Sequence, residues 1–287
     1  MSDWTIGIIG GSGLYAIDAL EDAQWIPVHS PWGEPSDEIL CGTIGHVRVR
    51  FLPRHGRGHR IAPSTINARA NIDALKRAGC TDILAISAVG SLSEELPPGR
   101  FVTVDQFIDN PRGRPSSFFG DGFVAHVSMA DPVCQRLSKH AAKSIAKAGG
   151  ECTEGATYLA MEGPQFSTRA ESRLYRHWGA EVIGMTGMPE AKLAREAELP
   201  YALLAMVTDY DCWHISESEV SVEDIIKVMH ANVETARKIL VETLRKISPD
   251  FPNSQADALK FSLITDKSKI PKTTCRDLDL LLGRYLD

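Results

Sequence analysis

Two apolar runs in this chain stop abruptly at hydroxyl and carboxylate side chains. They are Val182-Ile-Gly-Met-Thr-Gly-Met-Pro-Glu190 and, further on, Met206-Val-Thr-Asp209-Tyr-Asp211. In an open α/β sheet ligands sit at the carboxyl ends of strands, so two such tips in succession read as two walls of one small-molecule site. That arrangement points to an enzyme. Taken alone, Asp209 and Asp211 could cap a helix or face solvent. Facing a pocket, one of them can hold or deliver a proton, provided burial raises its pKa. A divalent metal could also sit between two carboxylates, but loops elsewhere in the chain already supply positive charge.

Three of those loops could hold an anion. The first is Gly7-Ile-Ile-Gly10-Gly11-Ser12-Gly13, directly after a strand-like run. It fits the relaxed dinucleotide fingerprint, but no second strand ends in an acid at the required distance. A glycine turn whose amides and Ser12 hydroxyl hold one phosphate needs fewer assumptions, and a purely structural turn stays possible. The second loop, Pro53-Arg54-His55-Gly56-Arg57-Gly58-His59-Arg60, gathers guanidinium groups suited to an oxyanion. An RNA-contacting loop would look similar but would need aromatic platforms nearby. His55 and His59 have a spacing that zinc accepts, without a third ligand close by in sequence. In the third loop, Ile86-Ser87-Ala88-Val89-Gly90-Ser91, small residues end a strand. They either make a tight turn or bring Ser87 to the same anion.

These residues need a scaffold of strand tips. Strands are expected at Thr5–Ile9, Val47–Leu52, Ile83–Ala88, Phe101–Phe107, Thr157–Met161, Glu181–Met185 and Tyr201–Val207. Several lack polar alternation, as strands covered on both faces do. Asp131-Pro132 reads as the start of a helix to about Gly149, Thr168 with Glu171 as a capping box, and Pro189 as a first-turn residue. Ser221 to about Ile247 carries one apolar stripe. The class is α/β. Residues 1–247 form the main domain, and 248–287, beyond the Ser248–Ser254 linker, form an extension too short for its own core, packed on the same domain or a neighbouring subunit. The chain has 287 residues, 43% of them hydrophobic, and a net charge of −6. Its acidity gives no bulk attraction to nucleic acid or anionic membranes, and no apolar run reaches membrane-spanning length. Scattered cysteines and the absence of a signal-peptide pattern point to the cytoplasm.

Taken in order, Gly10-Gly-Ser-Gly-Leu14, Arg54-His-Gly-Arg57, Asn67 to Ile72, Ala88-Val-Gly-Ser91, Asp105-Gln-Phe-Ile-Asp109, Met161-Glu-Gly-Pro-Gln-Phe166-Ser, Arg169-Ala-Glu-Ser172 and Thr208-Asp-Tyr-Asp-Cys-Trp213 resemble the 5′-methylthioadenosine phosphorylases, within the trimeric purine nucleoside phosphorylase group. The resemblance covers roughly residues 5 to 245. It implies a single-domain nucleoside phosphorylase fold, a twisted mixed β-sheet surrounded by helices, no organic cofactor or metal, and a homotrimer using a nucleoside and inorganic phosphate. It puts phosphate on Ser12, Arg54, His55, Ser87, Ala88 and Thr186, with Ser standing at 12 and 87 where close relatives often have Thr. It puts Met185 by the ribose, Phe166 against the base or sugar, and Asp209 and Asp211 at the purine edge. Val222 and Ile225 would line the methylthio end, with His126 reaching in from an adjacent subunit.

The implied reaction is phosphorolysis of an N-glycosidic bond, in which a neutral Asp209 steadies or protonates the departing purine. Asp at 209 favours a 6-aminopurine, whereas Gly187 is also similar to relatives acting on methylthioinosine, which keeps a 6-oxopurine substrate as the runner-up. An inactive nucleoside- or phosphate-binding protein of the same fold is the alternative from another class.

Overall fold

The computed structural model describes residues 4–11, 13–14, 17–120, 122–214, 222–247 and 255–286, without the side chains of 222–227 and 229–231. In chain order the strands are β1 (Thr5–Gly10), β2 (Glu21–Ile26), β3 (Ile39–Ile44), β4 (Val47–Pro53), β5 (Asp82–Ser91), β6 (Phe101–Thr103), β7 (Gln106–Asp109), β8 (Cys152–Glu154), β9 (Thr157–Ala160), β10 (Val182–Gly184) and β11 (Tyr201–Tyr210). The α-helices are α1 (Ala68–Arg77), α2 (Gln135–Lys147), α3 (Arg169–His177), α4 (Gly187–Glu196), α5 (Val222–Lys246), α6 (Lys272–Asp277) and α7 (Asp279–Leu286). All eleven strands belong to one mixed sheet.

The sheet is organised around β5. Along one edge, β11 runs parallel to it from Tyr201↔Ile83 to Tyr210↔Ser91. The other edge is shared. Strand β1 pairs with the first part, ending at Ile9↔Ala85, and β10 pairs antiparallel with the last part at Ile183↔Gly90 and Val182↔Ser91. Residues 86–89 therefore have no strand partner on that edge, and the sheet opens there.

Both faces are covered, which explains the missing polar alternation in the central strands. Ile9, Ile83, Ala85, Leu203 and Ala205 pack on one side with α1 and α4, and Ile6, Ile8, Leu84, Ile86 and Leu204 pack on the other with α2 and α5. Helix α1 carries its own signals: the Asn67 side chain accepts from the Ala70 amide, and Lys76 and Arg77 sit in the last turn.

Two expectations from sequence change, and a third holds. Phe101–Phe107 is two strands that part at Val104 and Asp105: β6 pairs with β11 and β8, while β7 pairs with β9. Helix α2 begins at Gln135 without a side-chain cap, so Asp131 does not cap it. Instead the Asp131 carbonyl accepts from Arg195. The capping box of α3 forms as expected: Thr168 accepts from the Glu171 amide, and Glu171 in turn accepts from the Thr168 amide.

Residues 255–286 pack against the sheet-covering layer. Leu278, Leu281 and Leu282 join the same core cluster as Leu75 and Leu199, and Glu198 accepts from the Leu259 amide, Arg284 and the Tyr285 hydroxyl. Leu282 is fully buried. Leu282→Ala should therefore cost about 2–5 kcal/mol in urea unfolding, by lost burial plus the cavity left behind. A change within experimental error would mean that the terminal helix adds nothing to the core.

Candidate active site

The opening in the sheet becomes a cavity of about 280 Å³ whose walls include Arg54, His55, Ser87, Ala88, Phe166, Met185, Thr186, Asp209 and Asp211. One irregularity decides what faces it. In a regular strand residues 206 and 208 would share one face and 209 and 211 the other. Between Val207↔Val89 and Asp209↔Gly90 the register of β11 shifts, leaving Thr208 as an extra residue. Such a bulge re-aims the side chains beyond it, so Met206, Thr208, Asp209 and Asp211 all line the cavity. Gly90 leaves room for this turn, since a Cβ there would stand 3.2 Å from the Asp209 carboxylate and 3.1 Å from Ile183.

On the anion side, Arg54 is only 2% exposed. Its Nε donates to Glu190 Oε1 at 2.6 Å, its Nη2 to Glu190 Oε2 at 3.1 Å, and its Nη1 to the Ile86 carbonyl at 2.8 Å. Burial works against the Arg54 charge, but Glu190 outweighs it and holds the guanidinium protonated more firmly than usual. The Ser87 hydroxyl donates to the Ala88 carbonyl at 3.1 Å. Thr186 precedes α4 and does not cap it with its side chain. Its amide and that of Gly187 both point at the Tyr158 hydroxyl, at 3.3 Å each, so the side chain and not the backbone is what Thr186 offers a ligand. Tyr158 comes that close because residue 184 is glycine, where a Cβ would overlap the phenol.

His55 is set as an acceptor. Its Nδ1 lies 2.9 Å from the Ile61 carbonyl, which can only accept, so Nδ1 carries the proton. Burial pushes its pKa down to about 4, the Ile61 contact opposes the fall, and Arg54 and His59 add to it. The His55 and His59 rings stack at 4.2 Å. Among the described residues, no group of three His, Cys, Asp or Glu side chains gathers to hold a metal.

Across the cavity, Asp211 is 5% exposed and its Oδ2 has no hydrogen-bond partner among the described residues. An orphaned buried acceptor of this kind calls for a donor from a ligand. Asp209 lies beside it, with the Thr208 hydroxyl 2.7 Å from Asp209 Oδ2 and 3.2 Å from the Val89 carbonyl. Phe166 stands half exposed at the mouth. Met185 is held by Arg114, which donates to the Met185 carbonyl at 2.6 Å, to the Glu162 carboxylate at 2.9 Å and to the Glu162 carbonyl.

Thus Arg54, His55, Ser87, Ala88, Thr186, Met185, Phe166, Asp209 and Asp211 share one cavity. Ser12 and the side chains of Val222 and Ile225 lie outside the described residues, although Gly11 and Val233 of α5 line the cavity. His126 does not reach it. Exposed, it borders a separate cleft with Lys192 and Glu196. Sequence reasoning missed Glu190, Tyr201, Arg114 and Arg237, the last of which donates to the Gly13 carbonyl at 2.8 and 2.6 Å and ties α5 to the glycine turn. Only Glu190 left a signal, as an acid among buried apolar residues at a helix start.

The phosphorylase superfamily model matches residues 5–245. The S-methyl-5′-thioadenosine phosphorylase of Geobacter sulfurreducens is 51% identical over 98% of this chain and 99% of its own length, and that of Rhodospirillum rubrum 52% over 98% and 97%. A methylthioadenosine phosphorylase from an Antarctic soil metagenomic library superposes with a TM-score of 0.93 at 46% identity, covering 98% of this chain and 99% of that one. The methylthioadenosine phosphorylase of Schistosoma mansoni in complex with adenine gives 0.81 at 36%, covering 90% and 96%.

The depressed pKa of His55 has a consequence for stability. Above the free value of 6.5 both folded and unfolded chains keep it neutral, and as pH falls from 6.5 towards about 4 only the unfolded chain takes up the proton. Stability from this residue is therefore lost through that window. The stability difference between wild type and His55→Gln, followed by denaturant unfolding from pH 7 to pH 4, should move steadily against the wild type, and a constant difference would contradict the assignment.

Proposed function

The chain belongs to the phosphorylase superfamily, and from that premise we propose that it cleaves S-methyl-5′-thioadenosine with phosphate to adenine and 5-methylthioribose 1-phosphate. The observation that carries this reading is one cavity with a buried guanidinium and hydroxyls at one end and two carboxylates at the other. Phosphate, oriented by Ser12, Arg54, His55, Ser87, Ala88 and Thr186, attacks C1′ of the ribose while the C1′–N9 bond breaks. The bonding pair leaves with the purine. Asp209, protonated, donates to N7 and steadies that charge. Asp211, with its unpartnered oxygen, accepts from the exocyclic 6-amino group. Phe166 and Met185 flank base and sugar, and holding both reactants in line supplies much of the acceleration. These steps call on an acid, an anion site and orientation, and no cofactor takes part in them.

A 6-oxopurine presents an acceptor where the 6-amino group presents a donor, and it would oppose Asp211. Gly187, the residue that suggested such a substrate, has a packing reason instead: a Cβ there would stand 2.9 Å from Phe107 and 3.1 Å from Tyr158.

The proposal extends to a cytoplasmic homotrimer in which His126 closes the neighbour's methylthio pocket, beside Val222 and Ile225. Support comes from the exposure of Val124, Phe261 and Ile264 on the segment pair that carries His126. No helix among the described residues is long and apolar enough to cross a membrane. The segment after 254 counts, in this proposal, as an extension of the same domain.

Two outcomes follow. Asp209→Asn should lower turnover of methylthioadenosine about ten- to a hundredfold, as loss of the contact to the charge developing on the purine does. The check is a panel of methylthioadenosine, adenosine, methylthioinosine and inosine, each with phosphate. Full methylthioadenosine activity in the variant would remove Asp209 from the leaving-group role. In the same panel the wild type should favour methylthioadenosine over adenosine about tenfold or more, because an apolar wall leaves a 5′-hydroxyl poorly solvated. Equal efficiencies would refute an apolar 5′ pocket.

A further inference from the structure

The guanidinium that the phosphate reading relies on is already engaged. Of the five N–H donors of Arg54, Nε and one on Nη2 meet the Glu190 carboxylate, one on Nη1 meets the Ile86 carbonyl, and the second on Nη2 points at the Ile9 carbonyl at 3.5 Å. One Nη1 hydrogen remains. The fork that would otherwise clasp an oxyanion in two-pronged fashion is turned onto a carboxylate of the protein itself.

We propose that Glu190 is the positioning residue of the anion site: it fixes the Nε–Nη2 edge of Arg54, leaves a single Nη1 hydrogen for phosphate, and offsets the guanidinium charge. The hydroxyls of the site then hold phosphate alongside one directed contact from Arg54. Glu190 itself is fixed from two directions. It sits in the first helical turn after Met188, where the backbone leaves helical geometry, and its Oε2 accepts from the Tyr201 hydroxyl at 3.1 Å. Tyr201 is fully buried, and burial together with Glu190 pushes its ionisation well above the ordinary range, so it stays a donor. The chain of contacts from β11 through Tyr201 and Glu190 to Arg54 at the end of β4 joins elements distant in sequence. Glu190 does not line the cavity, so it acts through Arg54 and not on the substrate.

The inference rests on the phosphate reading of Arg54, and kinetics separate the two. The variants are Glu190→Gln, Tyr201→Phe, Arg54→Ala and the double Arg54→Ala/Glu190→Gln. For each, kcat, the KM of phosphate at saturating methylthioadenosine, the KM of methylthioadenosine at saturating phosphate and the melting temperature are measured. Glu190→Gln should raise the phosphate KM about tenfold or more and Tyr201→Phe about threefold, with the nucleoside KM within about twofold of wild type, in line with direct loss of the ion pair in the first and loss of one hydrogen bond that positions it in the second. In the Arg54→Ala background, Glu190→Gln should add nothing to the phosphate KM, because residues acting as one unit are not additive. An unchanged phosphate KM in the single variants, equal rises in both KM values, or additive effects would overturn the proposal even if melting temperatures fall. Should Glu190→Gln fail to fold, Tyr201→Phe decides by the same criterion. A wild type that turns over without phosphate would instead overturn the function reading.

Discussion

Arg54 and Glu190 are each 2% exposed at the side chain, and they meet at 2.6 Å. Two charges taken out of water at such a depth are tolerated only when geometry is good and the leftover donors and acceptors are satisfied. That requirement constrains the surrounding structure. The Ile86 carbonyl must be free on the edge of β5 to accept from Arg54, which is possible only because the pairing of β1 with β5 ends at Ala85 and that of β10 with β5 is confined to Gly90 and Ser91. The same gap in strand pairing that satisfies the buried ion pair is the cavity. Packing and function are therefore one arrangement here, since closing the sheet over residues 86–89 would remove both the partner of Arg54 and the space for a ligand.

The opposite wall follows a different rule. The extra residue Thr208 turns Asp209 and Asp211 into the cavity, where Asp211 keeps an oxygen without a partner. One end of the cavity is thus nearly saturated with internal hydrogen bonds and the other is left wanting a donor. A nucleoside bridging the two would meet preset hydroxyls at its ribosyl carbon and an acceptor at its base. In that geometry, attack and departure lie at opposite ends of one rigid site, and little rearrangement of protein dipoles is needed as charge moves from phosphate to purine.

The sequence disclosed the parts of this arrangement that rest on local chemistry. Runs such as Ile83–Ala88 and Tyr201–Val207 were legible as strands because both faces are apolar, and Thr168 with Glu171 because a capping box lies within one short stretch of sequence. Strand β2 was not legible, since its residues are mostly exposed and it pairs only at the sheet's edge. Phe101–Phe107 read as one strand because nothing in its composition marks the exchange of partners at Val104 and Asp105. Residues around the cavity that sit on glycine- or serine-rich strand ends were legible by type. Those defined by contact were not: Glu190 and Tyr201 are fixed by pairing with Arg54, and the bulge at Thr208 arises from the register of two strands, which no single segment encodes.

The central claim is that one cavity transfers a ribosyl group from a purine to phosphate. Phosphorus NMR of methylthioadenosine with inorganic phosphate and enzyme addresses it directly, with adenine followed by absorbance in the same sample. The account predicts that the inorganic phosphate signal declines mole for mole with adenine release while a sugar 1-phosphate signal grows. Adenine release with the inorganic phosphate signal unchanged would mean that water and not phosphate is the acceptor, and would contradict it.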